Sequence, residues 1–202
     1  MSVSLNNRVA IITGGGSGIG FTFARKIHAA GCKIFIADIA LHPATKKWIE
    51  SLDTPSDVLF QQTDVTDWSQ LERAFDVCIQ KFGLPTIIVP AAGVFEPNVN
   101  SFWNDRESDG HYKIFDINLN HPIKTTRIAI RYLVQAKSKG TIIFVSSIAG
   151  QRSTIVTPLY TASKHAINSF IRGMAPLEEL AGIKVAGVAP GYVCTMNQNR
   201  MR

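Results

Sequence analysis

Apolar, β-branched runs of strand length recur along the chain: RVAIIT (8–13), KIFIAD (33–38), VLFQQT (58–63), TIIVPA (86–91), GTIIFVSS (140–147) and IKVAGVAP (183–190). The segments between them carry helical spacing. In WSQLERAFDVCIQKF, for example, Leu71, Phe75, Cys78, Ile79 and Phe82 fall near one helical face, with Asp67 placed to cap its start and Gly83 to close its end. Runs of this kind alternating with helices predict βαβ units, hence an α/β fold: a doubly wound parallel sheet of six strands with helices on both faces. The stretch FEPNVNSFWNDRESDGHYK (95–113) fits neither pattern. It is polar, and it reads either as the rim of a site or as a surface excursion.

The length of 202 residues predicts one domain over 1–202. A hydrophobic fraction of 46% with 18% charged residues suits a soluble globular chain and excludes a disordered one. The amino terminus lacks the pattern of a secretory signal and no apolar run approaches spanning length, so a cytoplasmic location is expected and a membrane partner is not. Cys32, Cys78 and Cys194 are odd in number and lack C-x-x-C spacing, which argues for inert thiols and against a disulfide framework or a metal site. The net charge of +6 is unevenly placed, because Ile117 to Leu177 contains no Asp or Glu. That favours anionic ligands. The cations are dispersed along helical segments without interleaved aromatics, which argues against nucleic acid.

After the first strand comes Thr13-Gly-Gly-Gly-Ser-Gly-Ile-Gly20, leading into a helical segment. Glycine permits a tight turn and close backbone approach, so a diphosphate can sit over the amides at the helix start. The loop positions expected to hold it are Gly14, Ser17, Gly18, Ile19 and Gly20. Asp38 closes the second strand, where a carboxylate accepts hydrogen bonds from ribose hydroxyls and repels a 2′-phosphate, so NAD is favoured over NADP. Asp64 and Val65 follow the third strand and are placed to edge an adenine, although a turn Asp reads equally well there.

In TPLYTASKHAINSF, Tyr160 and Lys164 are four apart and share a helix face, with Thr157 and Pro158 in cap and first-turn positions. An ammonium beside a phenol favours phenolate, which makes tyrosine a usable proton acceptor from an alcohol. Ser147 closes the fifth strand with a hydroxyl able to bond a substrate oxygen, and Ser146 is its neighbour. Asn118 is either a water holder in a relay to Lys164 or a helix-terminal amide.

T-G-x-x-x-G-x-G, the later Asn, the Ser, Y-x-x-x-K and P-G-x-x-x-T occur here in the order and spacing of the short-chain dehydrogenase/reductase family, which the chain resembles over nearly its whole length. The resemblance implies a Rossmann-type fold and a tetrad of Asn118, Ser147, Tyr160 and Lys164. Tyr160 would be the acid/base, Ser147 the substrate orienter, and Lys164 both the group that favours phenolate and a ribose ligand. It further implies Ala92 and Gly93 against the cofactor, with Pro190, Gly191, Val193 and Thr195 on the nicotinamide side and Cys194 beside them. The reaction implied is hydride transfer between NAD(H) and a secondary alcohol or ketone, most like the hydroxyprostaglandin-dehydrogenase type. A small-molecule partner and a homo-oligomer go with it. Alternatives are an NADP-dependent ketoreductase of the same family and a cofactor-binding protein with little catalysis.

The chain departs from the family pattern in three places. Pro90-Ala91-Ala92-Gly93 replaces the usual Asn-Asn-Ala-Gly, and Ala186 stands where an Asn usually precedes the Pro-Gly turn. Reduced stability is the expected consequence. The match runs out after Thr195, before the substrate lid and seventh strand that the family pattern leads one to expect, which leaves activity open.

Overall fold

The computed structural model describes residues 5–96, 101–105 and 110–193. Its six strands are β1 (Val9–Thr13), β2 (Lys33–Asp38), β3 (Val58–Gln62), β4 (Ile87–Pro90), β5 (Gly140–Val145) and β6 (Ile183–Val188). They form one sheet in the order β3-β2-β1-β4-β5-β6. All pairings are parallel. The helices are α1 (Gly18–His28), α2 (Pro43–Glu50), α3 (Trp68–Phe82), the short α4 (Lys113–Phe115), α5 (His121–Gln135), α6 (Pro158–Gly173) and α7 (Leu177–Ala181). The fold is the doubly wound α/β sheet that the alternation of runs predicts, and each predicted strand is present to within two residues at its ends.

Central strands are covered on both faces, so they read as unbroken apolar runs; edge strands need only one apolar face. Every residue of β1 is buried, whereas in β3, at one edge, only Val58 is buried and the following positions alternate between partly buried and exposed. Because successive side chains of a strand point to opposite faces, β1 feeds two cores. Val9 and Ile11 join Phe35, Leu71, Phe75, Ile128, Leu133 and Ile167 beneath α3, α5 and α6. Ala10 and Ile12 join Ala24, Ile27, Ile34 and Ile36 beneath α1.

Helix α3 is built as its sequence reads. The Asp67 carboxylate accepts from the amides of Ser69 and Gln70 at 2.9 and 3.3 Å, and Gly83 ends the helix at φ +91°. Two cations of the acid-poor stretch, Lys124 and Arg131 on α5, are answered by Glu72 of α3. Part of the charge asymmetry is thereby neutralised between helices and does not face a ligand. Cys32 and Cys78 are free and buried, and burial raises their thiols to about 11 and about 12, so neither is a thiolate at neutral pH. Cys194 lies outside the described residues.

The order of the sheet reverses direction between β1 and β4. Chain leaving β1 crosses toward β2 and chain leaving β4 crosses toward β5, so a crevice opens past the carboxyl ends of these two strands. Phe75, on the wall between α3 and the sheet, is fully buried, while Phe60 on the edge strand is 38% exposed. Phe75→Ala is expected to lower the free energy of unfolding by about 3–5 kcal/mol. Phe60→Ala should cost about 1 kcal/mol or less. Urea denaturation of both variants checks the contrast.

Candidate active site

The crevice is a cavity of about 880 Å³, lined at one end by Gly14, Ser17 and Asp38 and at the other by Ser147, Tyr160 and Lys164. Its size falls within the range of small-molecule and cofactor sites.

At the first end, the glycine loop is forced by contact. A Cβ on Gly14, whose φ is +69°, would lie 2.4 Å from the backbone of Ala92, and one on Gly20 would lie 2.3 Å from the Gly14 carbonyl oxygen. Only glycine lets β1 turn this close to the end of β4. The loop is also tied from outside: Gly16 donates its amide to Asp38 Oδ2 at 2.8 Å, and its carbonyl accepts from the Thr45 hydroxyl at 2.7 Å. Ser17 occupies the N-cap position of α1 without a side-chain cap bond, and the first turn of α1 carries no acidic residue. Its amides therefore keep their attraction for an anion. Gly18, Ile19 and Gly20 line the same wall. A diphosphate fits this cradle.

Asp38 has two tasks. It holds Gly16 and, more weakly, the Ala40 amide at 3.4 Å, and it also borders the cavity where a ribose would sit. Asp64 is both a turn residue and a lining residue: its Oδ1 accepts from the hydroxyl and amide of Thr66 at 2.7 and 2.9 Å. Those bonds, the hydroxyl's foremost, hold its carboxyl below the usual range. Val65 is buried beside it at the wall.

At the other end, Ala92 and Gly93 carry the chain past β4, and the following residue is clamped. Asn118 Oδ1 accepts from the Val94 amide and Asn118 Nδ2 donates to the Val94 carbonyl, each at 2.9 Å. Asn118 does not lie in a regular helix. It sits in a π-helical turn, Asp116–Asn120, ahead of α5. Turns of this kind are frequent at functional sites.

Lys164 is buried on α6 and donates from Nζ to the Val145 carbonyl at 2.9 Å, with Nζ also 5.6 Å from the centre of the Tyr160 ring. Burial lowers its ammonium to about 8, so at neutral pH it is still mostly charged. Ser147 lies two residues past the end of β5, not at the strand's last position, and starts a short 3₁₀ turn by accepting from the Ala149 amide at 3.1 Å. Its O–H is left to donate. Ser146 instead donates to Asn168 Oδ1 at 2.6 Å, and Asn168 Nδ2 donates to the Gly150 carbonyl. Both serines line the cavity, and they differ in their protons: that of Ser146 is spent on Asn168, whereas that of Ser147 is left to donate. Pro190, Gly191 and Val193 also line the cavity; Thr195 is outside the described residues.

Two buried side chains of the site carry no signal in the chain. His121, fully buried, has Nδ1 3.0 Å from the Ile117 carbonyl and Nε2 2.8 Å from Thr13 Oγ1. A carbonyl only accepts, so the proton is on Nδ1, and Nε2 accepts from the Thr13 hydroxyl. This neutral ring joins the last residue of β1 to the turn that bears Asn118. Glu96, also fully buried, accepts from the amides of Tyr160 and Phe102, each at 3.1 Å. Thr157, at the N-cap position of α6, makes no side-chain cap bond. Thr157 and Pro158 hold the cap and first-turn positions that the sequence predicts, but the Thr157 backbone, at φ −137° and ψ 65°, is not in the extended form of a capping residue, and the side-chain bond comes from Glu96. The stretch that fits no element therefore reaches the site: Phe95 lines the cavity and meets the Tyr160 ring edge-on with centroids 5.1 Å apart.

Comparison with known proteins gives the family. The short chain dehydrogenase family model matches residues 8–202. A (+)-borneol dehydrogenase 2 from Salvia officinalis is 34% identical over 195 residues, which is 96% of this chain and 68% of that protein. The human 15-hydroxyprostaglandin dehydrogenase [NAD(+)] is 32% identical over 197 residues, 95% of this chain and 70% of that protein. A solved short-chain dehydrogenase/reductase from Burkholderia phymatum, in complex with NAD, superposes with TM-score 0.83 at 25% identity, covering 96% of this chain and 68% of that one. The chain is a member of the short-chain dehydrogenase/reductase family, within an oxidoreductase class whose similar members include alcohol dehydrogenases. It is shorter than these relatives. Among the described residues, no helix is long and apolar enough to cross a membrane, and no group of three or more His, Cys, Asp or Glu is placed to hold a metal ion.

His121 makes a pH prediction. Burial, with a smaller contribution from the Lys164 charge, depresses it from 6.5 to about 4. A depressed folded-state value contributes stability that is complete above the unfolded value and lost as pH falls toward the folded one. The window is therefore about pH 6.5 down to about 4, and the expected loss from His121 between pH 7 and 5 is about 2 kcal/mol. Denaturation at the two pH values checks this, because His121→Asn, which does not titrate, should lose correspondingly less stability over the same interval.

Proposed function

We propose that the chain is an NAD-dependent oxidoreductase that interconverts a secondary alcohol and a ketone, acting as one domain over 1–202, with Tyr160 as acid/base. The carrying observation is the single cavity that runs from the glycine loop and Asp38 to Ser147, Tyr160 and Lys164. When bound, the nicotinamide supplies or accepts the hydride at the carbinol carbon. Gly14, Ser17, Gly18, Ile19 and Gly20 would hold the diphosphate and Asp38 the adenosine ribose. Asp64 and Val65 would flank the adenine; Ala92, Gly93, Pro190, Gly191 and Val193 would line the nicotinamide side.

The chain's own residues handle the proton. Tyr160 exchanges the hydroxyl proton with the substrate, taking it in the oxidative direction and returning it in reduction, with Lys164 Nζ held 5.6 Å from the centre of its ring. Ser147 donates its free O–H to the same substrate oxygen, orienting it and stabilising charge as it develops there. Asn118 holds Val94 and so keeps Gly93 close to the cofactor.

NAD over NADP rests on the Asp38 carboxylate, which a 2′-phosphate would have to approach at a cost in repulsion. Two similar proteins agree, one named for NAD and one solved with it. The substrate is a small molecule, since the relatives named above act on borneol and on hydroxyprostaglandin.

Isothermal titration with NAD, combined with turnover on a panel of secondary alcohols, tests the assignment. Tyr160→Phe is expected to lower kcat by about 100-fold or more while NAD affinity stays within about threefold. Retained turnover would remove Tyr160 from the chemistry. In Asp38→Ala, the ratio of NAD to NADP affinity should fall by about tenfold, equivalent to about 1.4 kcal/mol; an unchanged ratio counts against Asp38 as the discriminating group.

A further inference from the structure

Glu96 has no part in the chemistry proposed above, yet it is a carboxylate with no exposure to solvent. Such a group is costly to bury unless its oxygens are bonded. Both are: Oε1 accepts from the Phe102 amide and Oε2 from the Tyr160 amide, each at 3.1 Å. Tyr160 is the third residue of α6, and its amide is one of those at a helix start that have no partner within the helix. Pro158 has no N–H to offer, and Thr157 makes no side-chain cap bond. A residue 64 positions earlier thus closes the first turn, and its negative charge is favourable at the amino end of a 16-residue helix.

The grip on this turn is threefold. Phe95 packs edge-on against the Tyr160 ring with centroids 5.1 Å apart. Trp103 Nε1 donates to the Ile155 carbonyl at 2.8 Å, tying the same loop to the approach to α6. One turn further along, Lys164 is anchored independently, through the Val145 carbonyl of β5. Lys164 thus has an anchor of its own in β5, whereas the contacts of Glu96 and Phe95 bear directly on Tyr160.

We propose that Glu96 is the positioning residue for Tyr160: through its backbone amide it fixes the first turn of α6, and so the phenol, against the independently anchored Lys164. This rests on Tyr160 being the acid/base. Glu96 does not line the cavity, so its effect reaches the chemical step through Tyr160. Displacement of a reacting group by about 1 Å costs up to about 100-fold in rate.

The test uses the full chain and three variants, Glu96→Ala, Glu96→Gln and Tyr160→Phe, with kcat, KM, NAD affinity and amide hydrogen exchange measured well below each melting temperature. Glu96→Ala should lower kcat by about tenfold or more, with NAD affinity within about twofold and faster exchange concentrated at Tyr160 and Phe102. Glu96→Gln keeps one side-chain acceptor and should recover kcat to within about threefold of the parent chain. A purely stabilising residue would speed exchange across the whole sheet and leave kcat of the folded protein unchanged; that result overturns the proposal. So does a kcat unaffected in Glu96→Ala while Tyr160→Phe abolishes turnover. Turnover surviving in Tyr160→Phe instead overturns the acid/base reading on which the proposal rests, and it is recognised by that variant alone.

Discussion

The close approach of two backbones, Gly14 at the end of β1 and Ala92 past the end of β4, is the constraint on which the rest depends. A single added carbon at Gly14 would sit 2.4 Å from Ala92, inside any permissible contact. Because the strands can end so near each other, the chain diverges from this point to opposite sides of the sheet, and the crevice between the diverging segments becomes the cavity. The glycine loop, the start of α1 and the Gly93–Val94 segment are all walls of that opening. Asp38, Thr45 and Asn118 then hold those walls through backbone bonds, so the positions offered to a ligand are set before any ligand arrives.

The site is maintained at the expense of stability. Lys164 and His121 are both buried, and in each burial disfavours the charged form. The two are resolved differently. His121 avoids the cost by staying neutral, with each ring nitrogen matched to one oxygen, and serves as a brace between β1 and the π-helical turn. Lys164 remains mostly charged at neutral pH and so carries its cost. Glu96 resolves the same problem in a third way, by spending its lone pairs on two backbone amides.

Much of this was legible in the chain. Strand-length apolar runs, the cap and stop of α3, the glycine loop and the four-residue spacing of Tyr160 and Lys164 are local patterns, and each reports the local geometry that causes it. The misreadings arose where a local pattern had a distant competitor. Thr157 followed by Pro158 looks like a helix start with its own cap, but the cap comes from Glu96. Ser146 and Ser147 are indistinguishable as letters; Asn168, on a helix that folds back across them, is what separates them. Asn118 reads as a helical residue, whereas its turn is widened into a π-helix and its amide is bound to Val94. The charge asymmetry of 117–177 suggested an anionic ligand, and part of it is answered instead by Glu72.

By itself the sequence determined the kind of fold and the family, and it named candidate residues for the site, because hydrophobic period, glycine placement and motif spacing act over a few residues and are written in order along the chain. Only the tertiary structure decided which groups are paired: that His121 is neutral and bound to Thr13, that Glu96 caps the helix of Tyr160, and that Ser147 keeps a free proton. The reason is physical. Hydrogen bonds and desolvation depend on what is brought within about 3 Å and what is removed from water, and the deciding partners are distant along the chain: 108 residues between His121 and Thr13, 64 between Glu96 and Tyr160, and 22 between Ser146 and Asn168.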